Sequence, residues 1–480
     1  MIKFQETLKR VVAFGGAAVM IGALATGCGP GNTTSSGASN AAPDGSGTAT
    51  ESGTTSEREV RDLGGYTFTY LSLFGGADVM FAPDQGKSDE HDLYYERNQK
   101  LMKDWNFKIE IIEKSMDVID DYIISTALAG DNPADFIMTD YSHMMSYRDA
   151  DVLRPINELK NIDVSNTEKW QPGMTKACTK NGKVYGINTT LTPGIVMFYN
   201  DTLLKELNIE SPAELYKQGK WTWSEFKRLV TKSTIDNNGD GTPEMYGMAL
   251  CRWSSLNFEM PMAYTNGVNL IDVPDGSDPV FNGTTVNVQE SLAFIKDMFD
   301  ANIIDPNWDL TSETSANAFM TRKCAFMPQQ VNWWGYLQEM EDDYGFVPLP
   351  KGPRAEDHIS VAPQLVMFVS TIGCEDPDTA SLIFDLLMER PPKTGDPALD
   401  DPDNYLKTVL IREENTLDIY KDLQNKTIPC LPMAAPSFAW SCWLPAVDDI
   451  LADKTTPQAA MESIVEASKI YLKEAFVQEE

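Results

Sequence analysis

The amino-acid sequence predicts an α/β protein that is large enough for two globular units. After residue 63, segments of β propensity alternate with segments of helical spacing, which implies a parallel sheet with right-handed crossovers. The 480 residues, 42% of them hydrophobic, can bury two sizeable cores rather than one. Beyond residue 27, no segment reaches the length of about 20 apolar residues that a spanning helix needs. We therefore expect a folded part that starts near Leu63 and lies outside the bilayer.

The first 27 residues have the composition of an export signal. Basic side chains at Lys3, Lys9 and Arg10 precede an apolar run at 11–25 that is rich in Ala and Gly. A charged start, an apolar run and small residues before a cleavage site are the three parts of a signal peptide. We therefore interpret residues 1–27 as a signal peptide that the mature protein lacks.

Cys28 directly follows the stretch Leu24-Ala25-Thr26-Gly27, which resembles the lipobox of bacterial lipoproteins. The resemblance implies that Cys28 is lipidated and anchors the mature protein to the outer face of the cell membrane. One difference is that the usual Leu is replaced by Ala25, with Leu24 one position earlier. Each buried methylene contributes about 0.8 kcal/mol, so stable anchoring takes two chains. The alternative is an ordinary signal peptide cut near Ala25, which leaves Cys28 free.

Residues 28–62 are expected to connect the lipidated cysteine to the folded part. Between 29 and 57 the sequence consists mainly of Gly, Ser, Thr, Ala and Asn, with almost no large apolar side chain. Such a composition cannot bury enough surface to offset the entropy of ordering, which predicts a flexible spacer.

The chain is strongly acidic. Its formal net charge is -32 at pH 7, and the loss of three basic and one acidic side chain with residues 1–27 changes it to -34. This charge repels nucleic-acid phosphates and anionic headgroups. We therefore expect no nucleic-acid partner and no membrane contact other than the lipid.

Six cysteines follow Cys28, at wide spacing and without a C-x-x-C pair. Because the chain has three histidines, a zinc site is not expected. Export permits disulfides, but the sequence leaves their pairing open. Scattered buried thiols are the interpretation that we prefer.

The first elements alternate between strands and helices. The pattern predicts strands at 66–74, 108–113 and 134–139 and helices at 92–105 and 118–129. In parallel sheets, ligands lie beyond the carboxyl ends of the strands. This rule selects residues 74–78 and 140–143 as candidate binding segments.

The second half of the chain contains a tight turn, a buried strand and several capped helices. We predict a turn at 181–182, a strand at 196–200 and helices at 202–207, from 222, from 287 to 299 and from 457 to about 476. Thr222 and Glu225 fit a capping box, and Trp221 and Phe226 fit a hydrophobic staple. Asn287 and Glu290 could cap the next long helix, and Thr456 the last one.

Several short motifs occur in a fixed order after residue 63. They are N-G-K-x-Y-G at 181–186, Tyr199-Asn200, Thr222-Trp223-Ser224-Glu225-Phe226, Lys323-x-Ala325-Phe326-Met327 and Pro348-Leu349-Pro350. Together they resemble the extracellular solute-binding proteins of ABC importers, the family that includes maltodextrin-binding protein. A lipobox followed by a polar spacer is also what this family shows in bacteria that lack an outer membrane.

The resemblance implies a periplasmic-binding-protein-like clamp, in which two α/β lobes, each with a central mainly parallel sheet flanked by helices, are joined by hinge strands. Carried onto this chain, it implies a first lobe at 63–140 and 360–425 and a second lobe at 141–358 and 426–480. Residues 391–403 are interpreted as a surface insertion. The resemblance further implies a monomer that requires no cofactor and delivers a small-molecule solute, most often an oligosaccharide, to ABC permease subunits.

Aromatic side chains on loops are the candidates for sugar binding. Saccharides present apolar C–H faces and hydroxyl rims, so a sugar cleft needs flat rings with polar groups around them. The family implies cleft aromatics near Trp333 and Trp334 and near Trp440 and Trp443. Further candidates are the aromatic residues Trp253 and Tyr141 and, for the polar rim, Asp78, Asp140 and Arg252. The alternative for each tryptophan is a place in the hydrophobic core.

The stretch from 236 to 244 matches the first half of a calcium-binding loop. The candidate ligands for a structural calcium ion are Asp236, Asn238, Asp240, Thr242 through its carbonyl, and Glu244. The twelfth position is Gly247 instead of Glu, so the bidentate ligand would have to come from elsewhere. The alternative is a polar turn that ends the preceding helix.

Catalytic motifs are absent from the sequence. It contains no G-x-S-x-G, Walker A, H-E-x-x-H or G-x-G-x-x-G pattern, so we predict a binding protein rather than an enzyme. Two alternatives stay open: a surface glycoside hydrolase that uses an acidic pair, and a solute receptor that signals to a sensor kinase.

Overall fold

The computed structural model describes residues 58–73, 79–115, 118–250, 258–274, 277–307, 312–401, 403–404 and 406–476. The predicted signal peptide, Cys28 and most of the spacer lie outside the described residues. The same holds for three candidate site residues, Asp78, Arg252 and Trp253.

Fifteen strands are present in the described part of the chain. They are β1 Tyr66–Ser72, β2 Phe107–Ile112, β3 Phe136–Asp140, β4 Leu153–Arg154, β5 Thr179–Lys180, β6 Lys183–Val184, β7 Ile195–Asn200, β8 Tyr246–Met248, β9 Ile271–Asp272, β10 Val280–Phe281, β11 Cys324–Gln330, β12 Tyr344–Pro348, β13 Ser360–Ala362, β14 Val366–Thr371 and β15 Thr427–Pro429.

The α-helices of the same part are α1 Asp89–Trp105, α2 Ile119–Leu128, α3 Tyr141–Asp149, α4 Pro172–Ala177, α5 Asp201–Glu206, α6 Pro212–Lys217, α7 Trp223–Ser233, α8 Met260–Tyr264, α9 Val286–Asp300, α10 Ser312–Met320, α11 Pro377–Leu387, α12 Pro397–Asp400, α13 Thr416–Gln424, α14 Pro436–Phe438, α15 Leu444–Leu451 and α16 Pro457–Phe476. Shorter 3-10 helices lie at Ile156–Glu158, Val331–Glu339 and Leu431–Ala434, and π-helical turns lie at Leu406–Leu410 and Ala439–Trp443. No helix among the described residues is long and apolar enough to cross a membrane.

The first sheet has the strand order β2-β1-β3-β14-β4. β1 pairs in parallel with both β2 and β3, as the alternation of strands and helices predicts. β14 arrives from much later in the chain and runs antiparallel to β3 and β4. The α/β fold class is therefore confirmed, with a parallel half and an antiparallel half in this sheet.

The second sheet has the order β12-β7-β11-β8 and is less parallel than expected. β7 runs antiparallel to both of its neighbours, and the β8–β11 pair is parallel. All six residues of β7 are buried. A continuous apolar run predicts a central strand but carries no information on the direction of its neighbours.

Two segments connect the sheets and lie against each other. Residues 188–194 lead from Ile187, which bridges to β14, into β7, and residues 349–365 lead from β12 back to β14. The backbone N–H of Gly194 donates to Oγ of Ser360 at 2.8 Å, and β13 pairs in parallel with β15. A Cβ at Gly194 would lie 2.1 Å from the carbonyl oxygen of Val361, so this close packing requires glycine.

The cores do not follow the predicted lobe boundaries residue by residue, and those boundaries stay predictions. β4 pairs with β14 in the first sheet, although it lies beyond residue 140. Leu410, Ile419 and Leu423 pack in the hydrophobic cluster around the second sheet, although they lie within 360–425. A second cluster, which includes Phe68, fills one face of the first sheet.

Local sequence signals had different outcomes. The rings of Trp221 and Phe226 pack edge to face at 5.6 Å, which confirms the staple. Thr456 caps α16 through its hydroxyl, since the N–H of Ala459 donates to it at 3.2 Å. The capping box is wrong, because Thr222 has no capping bond and Glu225 instead binds Arg228.

The predicted caps of α9 are also wrong, because tertiary partners take both side chains. The helix begins after Thr285, so that Asn287 and Glu290 lie inside it. Nδ2 of Asn287 donates to the carbonyl of Asn266, and Glu290 forms a two-pronged ion pair with Arg354.

Five cysteines, Cys178, Cys324, Cys374, Cys430 and Cys442, are buried free thiols in the described part. The interpretation preferred from the sequence, scattered buried thiols, is therefore confirmed for these five cysteines.

Candidate functional site

Two of the candidate segments lie beside the segments that connect the two sheets. Asp140, the last residue of β3, pairs with Val366, where the second connecting segment enters β14. The backbone N–H of Val331 donates to the carbonyl of Gly194 at 3.0 Å, so the 3-10 helix with both tryptophans begins against the first connecting segment. The ends of β3 and β11 therefore each lie beside a connecting segment.

Trp333 and Trp334 have different environments although they are adjacent. Trp334 is 2% exposed, and its ring packs against Tyr420 at 5.3 Å and Phe346 at 6.0 Å. Trp333 is half-buried, and its ring lies 5.2 Å from that of Tyr336, which is 43% exposed. The accessible ring surface of this segment therefore belongs to Trp333 and Tyr336, whereas Trp334 packs in the core of the second sheet.

Asn332 adds a polar atom to the same segment. Its side-chain Oδ1 is buried and has no hydrogen-bond partner among the described residues. An unpaired buried acceptor costs about 1–3 kcal/mol, so a hydroxyl donor would be favourable there. Asn332 and Tyr336 carry no signal of their own in the sequence beyond their closeness to the tryptophan pair.

The second tryptophan pair also consists of one half-buried and one buried ring. Both residues lie in the π-helical turn Ala439–Trp443, a geometry that is frequent at functional sites. Trp440 is half-buried, whereas Trp443 is fully buried and its Nε1 has no hydrogen-bond partner in the described part of the chain.

Asp140 and His143 form the polar end of β3. Oδ1 of Asp140 accepts the backbone N–H of His143 at 3.0 Å, which caps α3, and lies 2.8 Å from Nδ1 of the same residue. Burial raises the pKa of Asp140, but the hydrogen bonds and the charge of His143 outweigh it and hold the pKa below its usual value. Tyr141 is half-buried, and burial raises its pKa to about 12.

His143 also faces a second carboxylate. Its Nε2 lies 3.6 Å from Oδ2 of Asp120, in the first turn of α2. Burial lowers the pKa of His143, but the bond to Asp140 and the charges of both carboxylates outweigh burial and raise the pKa above its ordinary value. From the sequence, His143 belongs to the candidate binding segment 140–143, but its contact with Asp120 could not be predicted, because the two residues are distant along the chain.

The calcium-like loop folds as a series of side-chain-capped turns. The carboxylate of Asp236 accepts the backbone N–H groups of Gly239 and Gly241 at 2.7 and 2.9 Å. Asn238 and Asp240 each accept the N–H two residues onward, and Glu244 accepts that of Asn237. Thr242 lies in the same exposed turn. Within the described ranges, no three His, Cys, Asp or Glu side chains are grouped as metal ligands.

Residues 87–371 match the family model of the bacterial extracellular solute-binding proteins. The chain belongs to this family. Its members are binding proteins that work outside the cytoplasm, which agrees with the absence of catalytic motifs from the sequence. None of the curated protein sequences matches this chain significantly.

Solved structures show the same fold at low sequence identity. The maltose/maltodextrin-binding domain MalE from Bdellovibrio bacteriovorus, bound to maltotriose, is 17% identical, with a TM-score of 0.54 over 85% of this chain and 99% of that one. UspC from M. tuberculosis is 14% identical, with a TM-score of 0.61 over 84% and 100%. A cyclo/maltodextrin-binding protein complexed with maltotetraose is 15% identical, with a TM-score of 0.60 over 86% and 97%.

Proposed function

We propose that this solute-binding protein is the lipid-anchored receptor of an ABC importer and that it binds an oligosaccharide between its two lobes. The proposal depends on the 3-10 helix after β11, which carries half-buried Trp333, exposed Tyr336 and the unpaired Oδ1 of Asn332. The first residue of this helix, Val331, is hydrogen-bonded to a connecting segment. Aromatic faces with a polar acceptor beside them suit the C–H faces and hydroxyls of a sugar. The maltotriose and maltotetraose complexes of similarly folded proteins support the same class of solute.

Binding would favour the closed form of the clamp over the open one. A solute that contacts both lobes has a higher affinity for the closed form, and it shifts the equilibrium by that difference alone. Asp140 and Tyr141, at the end of β3, would meet the solute from the side of the first sheet. Trp333 would meet it from the side of the second sheet, and Trp440 from its π-helical turn. Trp334 and Trp443 would support these rings from the core.

The proposed anchor is Cys28 with the spacer that follows it. A flexible spacer of Gly-rich composition has an r.m.s. length of about 5–6 Å times the square root of the number of residues. The described chain begins with Arg58, whose guanidinium is 2.5 Å from the carboxylate of Asp385 on α11.

The closed clamp would deliver its solute to permease subunits in the same membrane.

A binding experiment tests the solute class and separates the receptor from an enzyme. The protein is titrated with maltotriose and maltotetraose by calorimetry, and the recovered sugar is analysed by chromatography. Saturable binding with intact sugar supports the proposal. Shortened sugar would instead indicate a glycoside hydrolase, and the absence of saturation with these and other neutral oligosaccharides would contradict the proposed solute class.

The location of the anchor is tested separately in a bacterial host. Wild-type protein and Cys28→Ala are expressed with their signal peptides and fractionated. Membrane association of the wild type and release of the variant are expected. Equal distribution of both proteins would contradict lipidation at Cys28.

A structural calcium ion at 236–244 stays a prediction that thermal unfolding can test. Calcium should raise Tm relative to chelator, and Asp236→Asn should remove the increase, because the first-position carboxylate would be lost. An unchanged wild-type Tm would leave the loop a metal-free turn.

A further inference from the structure

The imidazole of His143 lies between carboxylates that belong to two different elements. Nδ1 is 2.8 Å from Oδ1 of Asp140 at the end of β3, and Nε2 is 3.6 Å from Oδ2 of Asp120 in α2. Among the described residues, the third titratable group that faces it is Tyr147, whose ring centroid is 6.3 Å away. The hydroxyl of Tyr147 donates to Oδ1 of Asp120 at 2.5 Å, so both α3 side chains reach the same carboxylate.

The number of protons on the imidazole decides which of these contacts are favourable. An imidazolium has an N–H on each nitrogen, whereas the neutral ring has one. In the neutral ring, the shorter contact and the helix cap favour an N–H on Nδ1, toward Asp140. Nε2 then presents a lone pair to the carboxylate of Asp120, and that contact becomes repulsive.

We propose that His143 is a protonation-dependent link between α2 and the corner formed by β3 and α3, closed as an imidazolium and released as a neutral ring. The cap of α3 by Asp140 and the bond from Tyr147 to Asp120 do not depend on this proton. Release therefore loosens the first turn of α2 and leaves the first turn of α3 intact.

The link has a consequence for solute binding, which rests on the proposed function. The first turns of α2 and α3 follow β2 and β3 at the carboxyl edge of the first sheet, where solute would meet the first lobe. An ordered edge costs less to immobilise on binding. Solute affinity should therefore decrease as the pH rises from 5.5 to 8.5.

Hydrogen exchange measures the link without any solute. Amide protection of residues 118–123 and 141–146 is measured at pH 5.5 and 8.5 and corrected for intrinsic exchange. In the wild type, protection of the α2 turn should be roughly three- to tenfold lower at pH 8.5, as expected for the loss of one charge-assisted contact, whereas the α3 turn should not change. In His143→Gln, neither turn should respond to pH.

Two further variants make the result specific. Asp120→Asn should abolish the pH response as His143→Gln does. It therefore tests the link even if His143→Gln does not fold. Tyr147→Phe should lower protection of the α2 turn at both pH values and keep the response. The link would be overturned by a wild type without the response, or by His143→Gln and Asp120→Asn variants that respond to pH as strongly as the wild type does.

Maltotriose titrations at the same pH values separate the link from the proposed function. A three- to tenfold weaker affinity at pH 8.5 in the wild type, absent from His143→Gln, is the expected result. If no oligosaccharide binds at either pH, the proposed function fails, and the exchange data still decide the link. If affinity is independent of pH while exchange responds, the consequence for binding is overturned.

Discussion

The segments after β11 and after β3 occupy comparable places but present different chemistry. Each follows a strand inside its sheet and lies beside a connecting segment. The segment after β11 presents the uncharged aromatic rings of Trp333 and Tyr336, whereas Asp140 and His143, at the end of β3, form an acid–imidazole pair. Ring contacts depend on area and shape, but the acid–imidazole pair depends on a proton. The two sides of the proposed cleft should therefore respond differently to substitution and to pH.

The largest expected effect distinguishes the buried ring of Trp334 from the half-buried ring of Trp333. Trp334→Ala should lower the free energy of unfolding by about 3–5 kcal/mol, because it removes a ring that is buried against Phe346 and Tyr420. The matched control, Trp333→Ala, should lower the free energy of unfolding much less, because the ring of Trp333 is only half-buried. Chemical denaturation measures both, and equal losses would place both rings in the core.

The second prediction concerns the ring that the solute would touch. Trp333→Ala should weaken maltotriose binding by roughly tenfold or more, because a stacking face is lost, and Trp333→Phe should retain most of the affinity. The loss should be the same at pH 5.5 and 8.5, since no titratable group contributes to stacking. Calorimetry at the two pH values measures the affinities. A loss of affinity confined to one pH value would contradict the expectation that stacking on Trp333 does not depend on pH.

The parallel half of the first sheet could be predicted because its signals are local. The predicted strand at 134–139 is observed as Phe136–Asp140, and the helix predicted at 118–129 as Ile119–Leu128. Each segment carries its own period and its own terminator. The directions in the second sheet could not be predicted, because β7 is buried throughout and its partners lie far away in sequence.

The candidate site shows the same limit at the level of single side chains. The sequence indicated a tryptophan pair at 333–334, but adjacent residues on a 3-10 helix point in different directions. Packing against Tyr420, far along the chain, decides that Trp334 is the buried ring. In the same way, Asp140 could be chosen from its place after a strand, whereas the role of His143 depends on Asp120.

A smaller effect is expected at the polar end of β3. Asp140→Ala should destabilise the protein by about 1 kcal/mol, because α3 loses its cap, and Asp140→Asn should retain most of the cap. The raised pKa of His143 means that its stabilising contribution is complete below pH 6.5 and is lost as the pH rises through the folded-state value. Asp140→Ala should therefore reduce the loss of stability between pH 6.5 and 8.5. An unchanged pH profile would contradict the coupling.

The smallest expected effect is the difference between His143 and His358, which lies in the second connecting segment. His358 is buried, its Nε2 lies 2.6 Å from the carbonyl of Trp221, and burial lowers its pKa. Because the unfolded chain then binds more protons, its contribution is complete above pH 6.5 and decreases as the pH falls below that value. His358→Gln should therefore flatten the stability profile below pH 6.5, and His143→Gln should flatten it above. Denaturation across pH 5 to 8.5 measures both slopes. If the two histidines changed the slope of stability against pH with the same sign, the carboxylates around His143 and the burial of His358 would not have the opposite effects that we expect.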